Sequence, residues 1–229
     1  MKSLILAGGM GKRLRPLTYE KPKPLIEVAG KPILVWQIEW LKKYNVNEVI
    51  LCVGYQKEKI IEFIGSGTKF GIKVGYTVED EPLGTGGGIK NAEALLRNED
   101  RILVLNGDII TDLNPLKLVK ELDDGVGAIA VTPLRSPYGI VDVDDKGYAK
   151  YFKEKPLIEN YWINAGIYCF TSEIFNYLPE KGDIEVTAFP RLAIERKLKV
   201  VKYKDIIWKS IDTHKDIEEI EKEIASTKI

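Results

Sequence analysis

Leu4-Ile5-Leu6-Ala7, then Gly8-Gly9-Met10-Gly11, then Lys12-Arg13-Leu14-Arg15: an unbroken apolar run, a glycine cluster and a group of cations open the chain. A short continuous apolar run fits a strand covered on both faces. A glycine cluster directly after such a strand sits at the carboxyl end of a sheet, where open α/β sheets bind ligands. Glycines let backbone N–H groups approach an anion without interference from Cβ. Lys12, Arg13 and Arg15 place positive charge at the same point. The stretch therefore predicts a strand-loop phosphate site. Neither familiar nucleotide motif is met. Leu14 stands where a dinucleotide fingerprint needs a third glycine, and Arg13 where a Walker A loop needs Ser or Thr.

Working outward, the first half alternates strand and helix. Ile33–Tyr44 puts Leu34, Ile38 and Leu41 on one helical face. Glu48–Val53 reads as a second strand, Lys57–Ile64 as a helix stopped by Gly65, and Lys73–Val78 as a third strand. A helix from about Gly87 to Leu96 and a strand at Arg101–Leu105 follow, the strand ending at Asn106-Gly107-Asp108. This alternation predicts an α/β fold with a Rossmann-like, mixed but mostly parallel sheet flanked by helices. The second half changes rhythm. Short strands are expected at Ala128–Thr132, Ile140–Val143, Ala149–Glu154 and Ile163–Phe170, with a turn at Asp145-Lys146-Gly147. Helices near Ser172–Leu178 and Thr187–Arg196 and strands at Val200–Tyr203 and Trp208–Ile211 come next. Thr213-His214-Lys215-Asp216 matches a capping box ahead of a helix at Ile217–Ile224. With no repeat or long linker, residues 1–229 read as one domain with a small antiparallel extension after about residue 110.

Composition narrows the class. The chain has 229 residues, 45% hydrophobic and 30% charged, too apolar for a disordered segment. Lys+Arg and Asp+Glu balance at 34 each, which gives no reason to expect nucleic acid as a partner. No signal peptide and no membrane-length apolar run is present, so a cytoplasmic location is expected. Cys52 and Cys169 lie in apolar strand-like runs and read as buried thiols, and the lone His214 reads as a solvated surface side chain.

The next element is Glu20-Lys21-Pro22-Lys23-Pro24-Leu25, in which prolines hold Lys23 on an extended segment. A stiffly placed lysine can act as a fixed charge on a transferring phosphoryl group. Together, LAGGMGKRLRPLT and KPKPLIEVAGKPIL closely resemble the signature of the sugar-1-phosphate nucleotidylyltransferases. That family includes mannose- and heptose-1-phosphate guanylyltransferases, glucose-1-phosphate thymidylyl- and uridylyltransferases and muramate relatives. The resemblance implies Mg²⁺-dependent transfer of a nucleoside monophosphate from a nucleoside triphosphate to a sugar 1-phosphate, with release of pyrophosphate. It divides the domain into a nucleotide-binding part, about 1–110, and a sugar-binding part, about 111–229.

The resemblance also assigns residues. Leu6, Ala7, Gly8, Gly9 and Gly11 would bind the nucleotide. Arg13 would hold the leaving pyrophosphate, Lys23 the α-phosphate, and Asp108 the Mg²⁺ ion. The segment Leu83-Gly84-Thr85 would pack against the base. Glu79 lies five residues before Gly84, where pyrimidine-specific members often carry glutamine. A carboxylate only accepts hydrogen bonds, and guanine offers two adjacent donors, so Glu79 favours GTP. The PLGTGGGI run also resembles muramate-type uridylyltransferases, which keeps UTP and dTTP open. On the sugar side, Gly139 would let the sugar approach the backbone, Glu154 and Asn164 would bind hydroxyls, and Lys155 would hold the sugar phosphate. Many relatives carry Trp-x-Asp-x-Gly-Thr-Pro near the end. Here Ser210 takes the aspartate's place; Asp212 shares its face if the strand continues, and is then the expected substitute for the second metal ligand.

Two rival classes remain. Asp142-Val143-Asp144 fits the DxD metal motif of nucleotide-sugar-dependent glycosyltransferases, although aspartates at a hairpin turn are ordinary. A non-catalytic nucleotide-sugar sensor would tolerate the Ser210 departure. An appended β-helix is not expected, because the chain ends soon after its last helix; a homo-oligomer is compatible with the sequence.

Overall fold

The computed structural model describes residues 1–227. β1 (Lys2–Ala7) leads into the glycine loop, a 3₁₀ turn at Lys12–Leu14, the short α1 (Leu17–Glu20) and a second 3₁₀ turn at Lys23–Leu25. The small pair β2 (Glu27–Val28) and β3 (Lys31–Pro32) precedes α2 (Ile33–Lys43). Then come β4 (Glu48–Val53), α3 (Lys57–Ile64), β5 (Lys73–Val78), α4 (Gly84–Asn91), α5 (Glu93–Leu96) and β6 (Ile102–Asn106). β7 (Ile109–Thr111), α6 (Leu116–Glu121), β8 (Gly127–Arg135), β9 (Ile140–Val143), β10 (Ala149–Lys153) and β11 (Leu157–Phe170) follow. The described chain closes with α7 (Ala188–Ile194), β12 (Leu198–Lys202), β13 (Trp208–Ser210) and α8 (His214–Thr227).

Seven strands form the central sheet in the order β12-β8-β11-β6-β1-β4-β5. All its pairings are parallel except the two made by β11, which runs against both β6 and β8. The sheet is therefore mixed and mostly parallel, as expected. Its inner strands are largely apolar because successive side chains enter opposite cores. Ile5, Leu51, Leu103 and Leu105 pack with α2 and α3 on one face. Leu4, Ile50, Cys52, Ile102 and Val104 pack with α4 and α7 on the other. Burial raises the Cys52 thiol to about 12, which leaves it protonated and inert.

Local chemistry explains the boundaries. Gly65 ends α3 at φ 60°, its N–H donating to the Ile61 carbonyl. The capping box forms with aspartate as its far member: Thr213 N donates to Asp216 Oδ2 at 2.8 Å, and Asp216 N donates to Thr213 Oγ1 at 3.3 Å. α8 accordingly starts at His214, which is exposed.

Other elements differ from expectation. The helix expected from about Gly87 begins at Gly84 and divides at Ala92 into α4 and α5. Its N-terminus is set by tertiary bonds, since the Gly182 carbonyl accepts from Gly86 N at 2.9 Å and Gly87 N at 3.1 Å. Residues Ser172–Asn176 form a 3₁₀ rather than an α-helix. β11 begins at Leu157 instead of Ile163, and register shifts against β8 let one long strand continue past the sheet. Among the described residues no helix is long and apolar enough to cross a membrane.

Candidate active site

The site begins where β1 and β6 end side by side. The Gly107 N–H donates to the Leu6 carbonyl at 2.9 Å, and a Cβ on Gly107 would lie 2.3 Å from that oxygen. Only glycine permits this approach, and it brings the Asn106-Gly107-Asp108 turn against the glycine loop. Between them lies a cleft of about 380 Å³. Its wall includes Leu6, Ala7, Gly8, Gly9, Gly11, Arg13, Lys23, Glu79, Gly84, Thr85, Asp108 and Asp212.

Four charged side chains converge in it. Lys23 Nζ donates to Asp108 Oδ2 at 2.6 Å and to Asp212 Oδ1 at 2.9 Å. An Arg13 guanidinium nitrogen lies 2.8 Å from the same Asp212 oxygen. Ser210 Oγ donates to Asp212 Oδ2 at 3.0 Å. Each partner is placed by its own element. Lys23 rides on the 3₁₀ turn after Pro22, packed under Gly11, where a Cβ would meet the Lys23 Cβ at 3.1 Å. Gln37 of α2 fixes the Asp108 turn, its amide donating to the carbonyls of Asn106 at 2.8 Å and Ile109 at 3.0 Å. β13 pairs antiparallel with β7, and Ile211 N donates to the Asp108 carbonyl at 2.9 Å, so the chain delivers Asp212 beside Asp108. Burial pushes the Asp212 carboxyl up, but the Lys23 ammonium, with Ser210 and Arg13, outweighs it and holds the group below the ordinary carboxylate range.

The donor set fits a hard divalent cation. Asp108 and Asp212 are carboxylates held by one ammonium on one side of the cleft. Among the described residues no cluster of three or more His, Cys, Asp or Glu side chains is arranged for a metal. Two carboxylates beside the glycine loop suit an ion that completes its shell with substrate oxygens and water.

In the cleft wall, Glu79 is wedged between two glycines. A Cβ on Gly8 would come within 2.8 Å of its Oε2, and one on Gly88 within 2.7 Å of its Oε1. Burial pushes the Glu79 carboxyl above its ordinary value, against a hydrogen bond from the Leu83 backbone. Leu83 itself stands outside the cleft wall. Asp183, which sequence reading missed, lines the cleft and accepts from Thr85 N at 3.1 Å. The Thr85 hydroxyl is occupied: it donates to Glu185 Oε2 at 2.6 Å and accepts from Ile184 N at 2.9 Å. The glycines of α4 admit the backbone around Gly182, since a Cβ on Gly84 would meet it at 2.7 Å.

The residues expected to bind the sugar lie outside the cleft wall. Gly139 touches the β9–β10 ribbon, where a Cβ would come within 2.6 Å of Phe152 and 2.9 Å of Glu154 Oε2. Glu154 and Lys155 are exposed, their charges 3.7 Å apart. Asn164 Nδ2 donates to the buried Tyr168 hydroxyl at 2.9 Å, and its Oδ1 accepts from Gly166 N at 2.9 Å. The DxD-like aspartates find an ordinary use: Asp144 Oδ1 caps the hairpin, accepting from Lys146 N at 2.9 Å and Tyr148 N at 2.8 Å.

A family model described as nucleotidyl transferase matches residues 2–227. The chain belongs to the nucleotidyl transferase family. Among its relatives is the mannose-1-phosphate guanylyltransferase catalytic subunit beta of Dictyostelium discoideum, 38% identical over 224 residues. That match covers 94% of this chain and 62% of the relative, so this nucleotidyl transferase spans somewhat under two thirds of the longer protein. The D-glycero-alpha-D-manno-heptose 1-phosphate guanylyltransferase of Campylobacter jejuni subsp. jejuni serotype O:2 is 39% identical over 189 residues, 81% of this chain and 83% of that one. Among solved structures, HddC from Yersinia pseudotuberculosis superposes with a TM-score of 0.77 at 28% identity, covering 97% of this chain and 99% of the other. A second HddC structure, complexed with GMP-PN, gives a TM-score of 0.75 at 27% identity.

Proposed function

We propose that this nucleotidyl transferase moves a nucleoside monophosphate from a nucleoside triphosphate to a sugar 1-phosphate and releases pyrophosphate. The convergence of Lys23, Arg13, Asp108 and Asp212 beside the glycine loop carries this reading. Asp108 and Asp212 would hold Mg²⁺, which supplies charge neutralisation of the phosphates when bound. The chain's own part is positioning and electrostatics. Backbone N–H groups of Gly8 to Gly11 bind phosphate oxygens. Lys23 steadies the charge that develops on the α-phosphate, and Arg13 that on the departing pyrophosphate. A sugar-phosphate oxygen, already anionic near neutral pH, forms the new bond to the α-phosphorus as the α–β bridging bond breaks. No general base is required. Just after the ribbon, Lys155 offsets repulsion between the two anionic substrates, while Glu154 beside it and Asn164 of β11 receive sugar hydroxyls.

Guanine is the favoured base. Glu79 presents an acceptor-only carboxylate in the cleft wall, and the Dictyostelium and Campylobacter relatives are named guanylyltransferases. A mannose- or manno-heptose-type 1-phosphate is the favoured acceptor on the same relatives' names. The test is a grid of GTP, UTP, dTTP, ATP and CTP against mannose, manno-heptose, glucose and muramate-type 1-phosphates, read by pyrophosphate release. The highest kcat/KM is expected with GTP and a manno-configured acceptor. A folded protein that releases pyrophosphate with no pair would overturn the enzymatic reading in favour of a sensor.

A further inference from the structure

We propose that the Lys23 ammonium is the resident cation of the cleft: it competes with a divalent metal for Asp108 and Asp212, so that the metal enters together with a triphosphate and not as the free ion. This rests on the nucleotidyl-transfer reading and specifies the form of its substrate.

The argument starts from the occupancy of the carboxylates. Asp212 Oδ1 already receives both Lys23 at 2.9 Å and Arg13 at 2.8 Å, and its Oδ2 receives Ser210 at 3.0 Å. Asp108 Oδ2 receives Lys23 at 2.6 Å. Two cations therefore balance two carboxylates, and the cluster has no surplus negative charge to attract a metal. The Lys23 side chain is only 13% exposed. A free dication that took both carboxylates would strand this ammonium, poorly hydrated, next to two new positive charges. Removing one partner from a semi-buried ion pair is costly for that reason.

A triphosphate changes the balance. Its oxygens offer Lys23 and Arg13 new anionic partners in the same cleft, so each charge lost from a carboxylate is regained on a phosphate. Movement needs little from the backbone. Lys23 sits on a turn fixed between Pro22 and Pro24, while its four-carbon stem has rotatable bonds. The swap transfers the ammonium from carboxylates to phosphate as the metal takes the carboxylates. Metal and nucleotide are thereby coupled, and the coupling is reciprocal: each raises the affinity for the other by the same factor.

Equilibrium dialysis of Mn²⁺ against the full chain tests this without turnover, alone and with the non-cleavable analogue α,β-methylene GTP. The wild-type protein should bind free Mn²⁺ about 100-fold more weakly than it binds Mn²⁺ with the analogue, near the upper range of site–site coupling. Lys23→Met should bind free Mn²⁺ about 10-fold more tightly than wild type, with the coupling factor reduced to match. Arg13→Gln, whose side chain is exposed and outside the core, should shift free-ion affinity the same way by a smaller factor, and it carries the test should Lys23→Met fail to fold by circular dichroism. Asp108→Asn should weaken Mn²⁺ binding in both conditions. Intact coupling in the wild type, with free-ion affinity unchanged or weaker in Lys23→Met and Arg13→Gln, would overturn the inference while leaving nucleotidyl transfer standing. Absence of coupling would overturn the inference alone; failure of the α,β-methylene analogues of GTP, UTP, dTTP, ATP and CTP alike to bind with Mn²⁺ present would overturn both.

Discussion

At the tops of β1 and β6, four charged side chains close on one another; just after the β9–β10 ribbon, Glu154 and Lys155 stand in solvent with a 3.7 Å gap between their charges. The first region is built by the sheet itself. Strand ends, a forced glycine contact and the β7–β13 pairing set the positions of Lys23, Asp108 and Asp212 before any substrate arrives. The second is a two-stranded ribbon outside the central sheet, exposed along nearly its whole length. Isolated two-stranded ribbons are marginal in water. Lys155 also adopts φ 43°, in the left-handed region that side chains seldom occupy. The contrast teaches that the end proposed for phosphates is preorganised and the end proposed for the sugar is not, so substitutions at the two ends should damage different kinetic parameters.

The largest expected effect is in the preorganised region. Lys23→Ala or Arg13→Ala should lower kcat by about 100-fold, the loss usual for a charge contact made in the transition state. Asp108→Asn should do at least as much and raise the Mg²⁺ concentration required for half-maximal rate. Steady-state kinetics with a Mg²⁺ titration checks both. Beside the ribbon, Lys155→Ala should raise KM for the sugar 1-phosphate by about 10-fold and change kcat by much less, because it removes binding common to ground and transition states. If Lys155→Ala lowers kcat as severely as Lys23→Ala, the ribbon closes into the reacting geometry and the contrast breaks.

The sequence was legible where the physics is local. An apolar run followed by glycines places β1 and the loop that lines the cleft, and alternation places most strands. The shared strand face expected for Ser210 and Asp212 does not form, because β13 ends at Ser210, yet the two side chains still meet at 3.0 Å. What stayed hidden depends on distant parts of the chain. Gln37 is just one polar residue in an apolar helix until its amide is seen on the Asn106 and Ile109 carbonyls. Asp183 lies in Pro179-Glu180-Lys181-Gly182-Asp183, which reads as a surface turn, yet this segment wraps the α4 glycines and reaches the cleft. The resemblance has Leu83-Gly84-Thr85 packing against the base; Gly84 and Thr85 do line the cleft, while Gly84, Gly86 and Gly87 also make room for the protein backbone around residues 180–182. That leaves Glu79 as the side chain with the clearest means of choosing the base. Glu79→Gln should lower kcat/KM for GTP relative to UTP by about 10-fold, within the 1–3 kcal/mol range of one lost charged hydrogen bond. Only the ionised carboxylate accepts from both guanine donors. Because burial pushes Glu79 upward, the GTP preference should fade at a higher pH than an ordinary glutamate near 4.5 would allow. A GTP/UTP ratio that ignores both the substitution and pH assigns base reading to the main chain.

The smallest effect separates metal from cap at the end of the chain. Asp212 stands just before α8, and a helix-capping role there would compete with a metal role. The hydrogen bonds divide the work. Asp216 Oδ2 accepts from Asp212 N at 3.1 Å, Thr213 N at 2.8 Å and Thr213 Oγ1 at 2.8 Å, whereas the Asp212 carboxylate turns to Lys23, Arg13 and Ser210. Asp216→Asn should therefore cost about 1 kcal/mol, the usual scale for a helix cap, and lower Tm by about 2–4 °C for a domain of this size. It should leave the Mg²⁺ titration unchanged. Asp212→Asn should do the reverse, raising the Mg²⁺ requirement. Acid provides an independent check on the cap. Burial pushes the Asp216 carboxyl up, but Thr213 and Lys209 hold it below its ordinary value near 3.8. A depressed carboxylate contributes stability that is complete above its unfolded value and disappears as pH falls through the folded one. The Tm difference between wild type and Asp216→Asn should accordingly persist at pH 6 and shrink as pH drops below about 4. A Tm loss confined to Asp212→Asn, with an unaltered Mg²⁺ requirement, would reassign Asp212 to the helix and leave Asp108 as the single carboxylate for the metal.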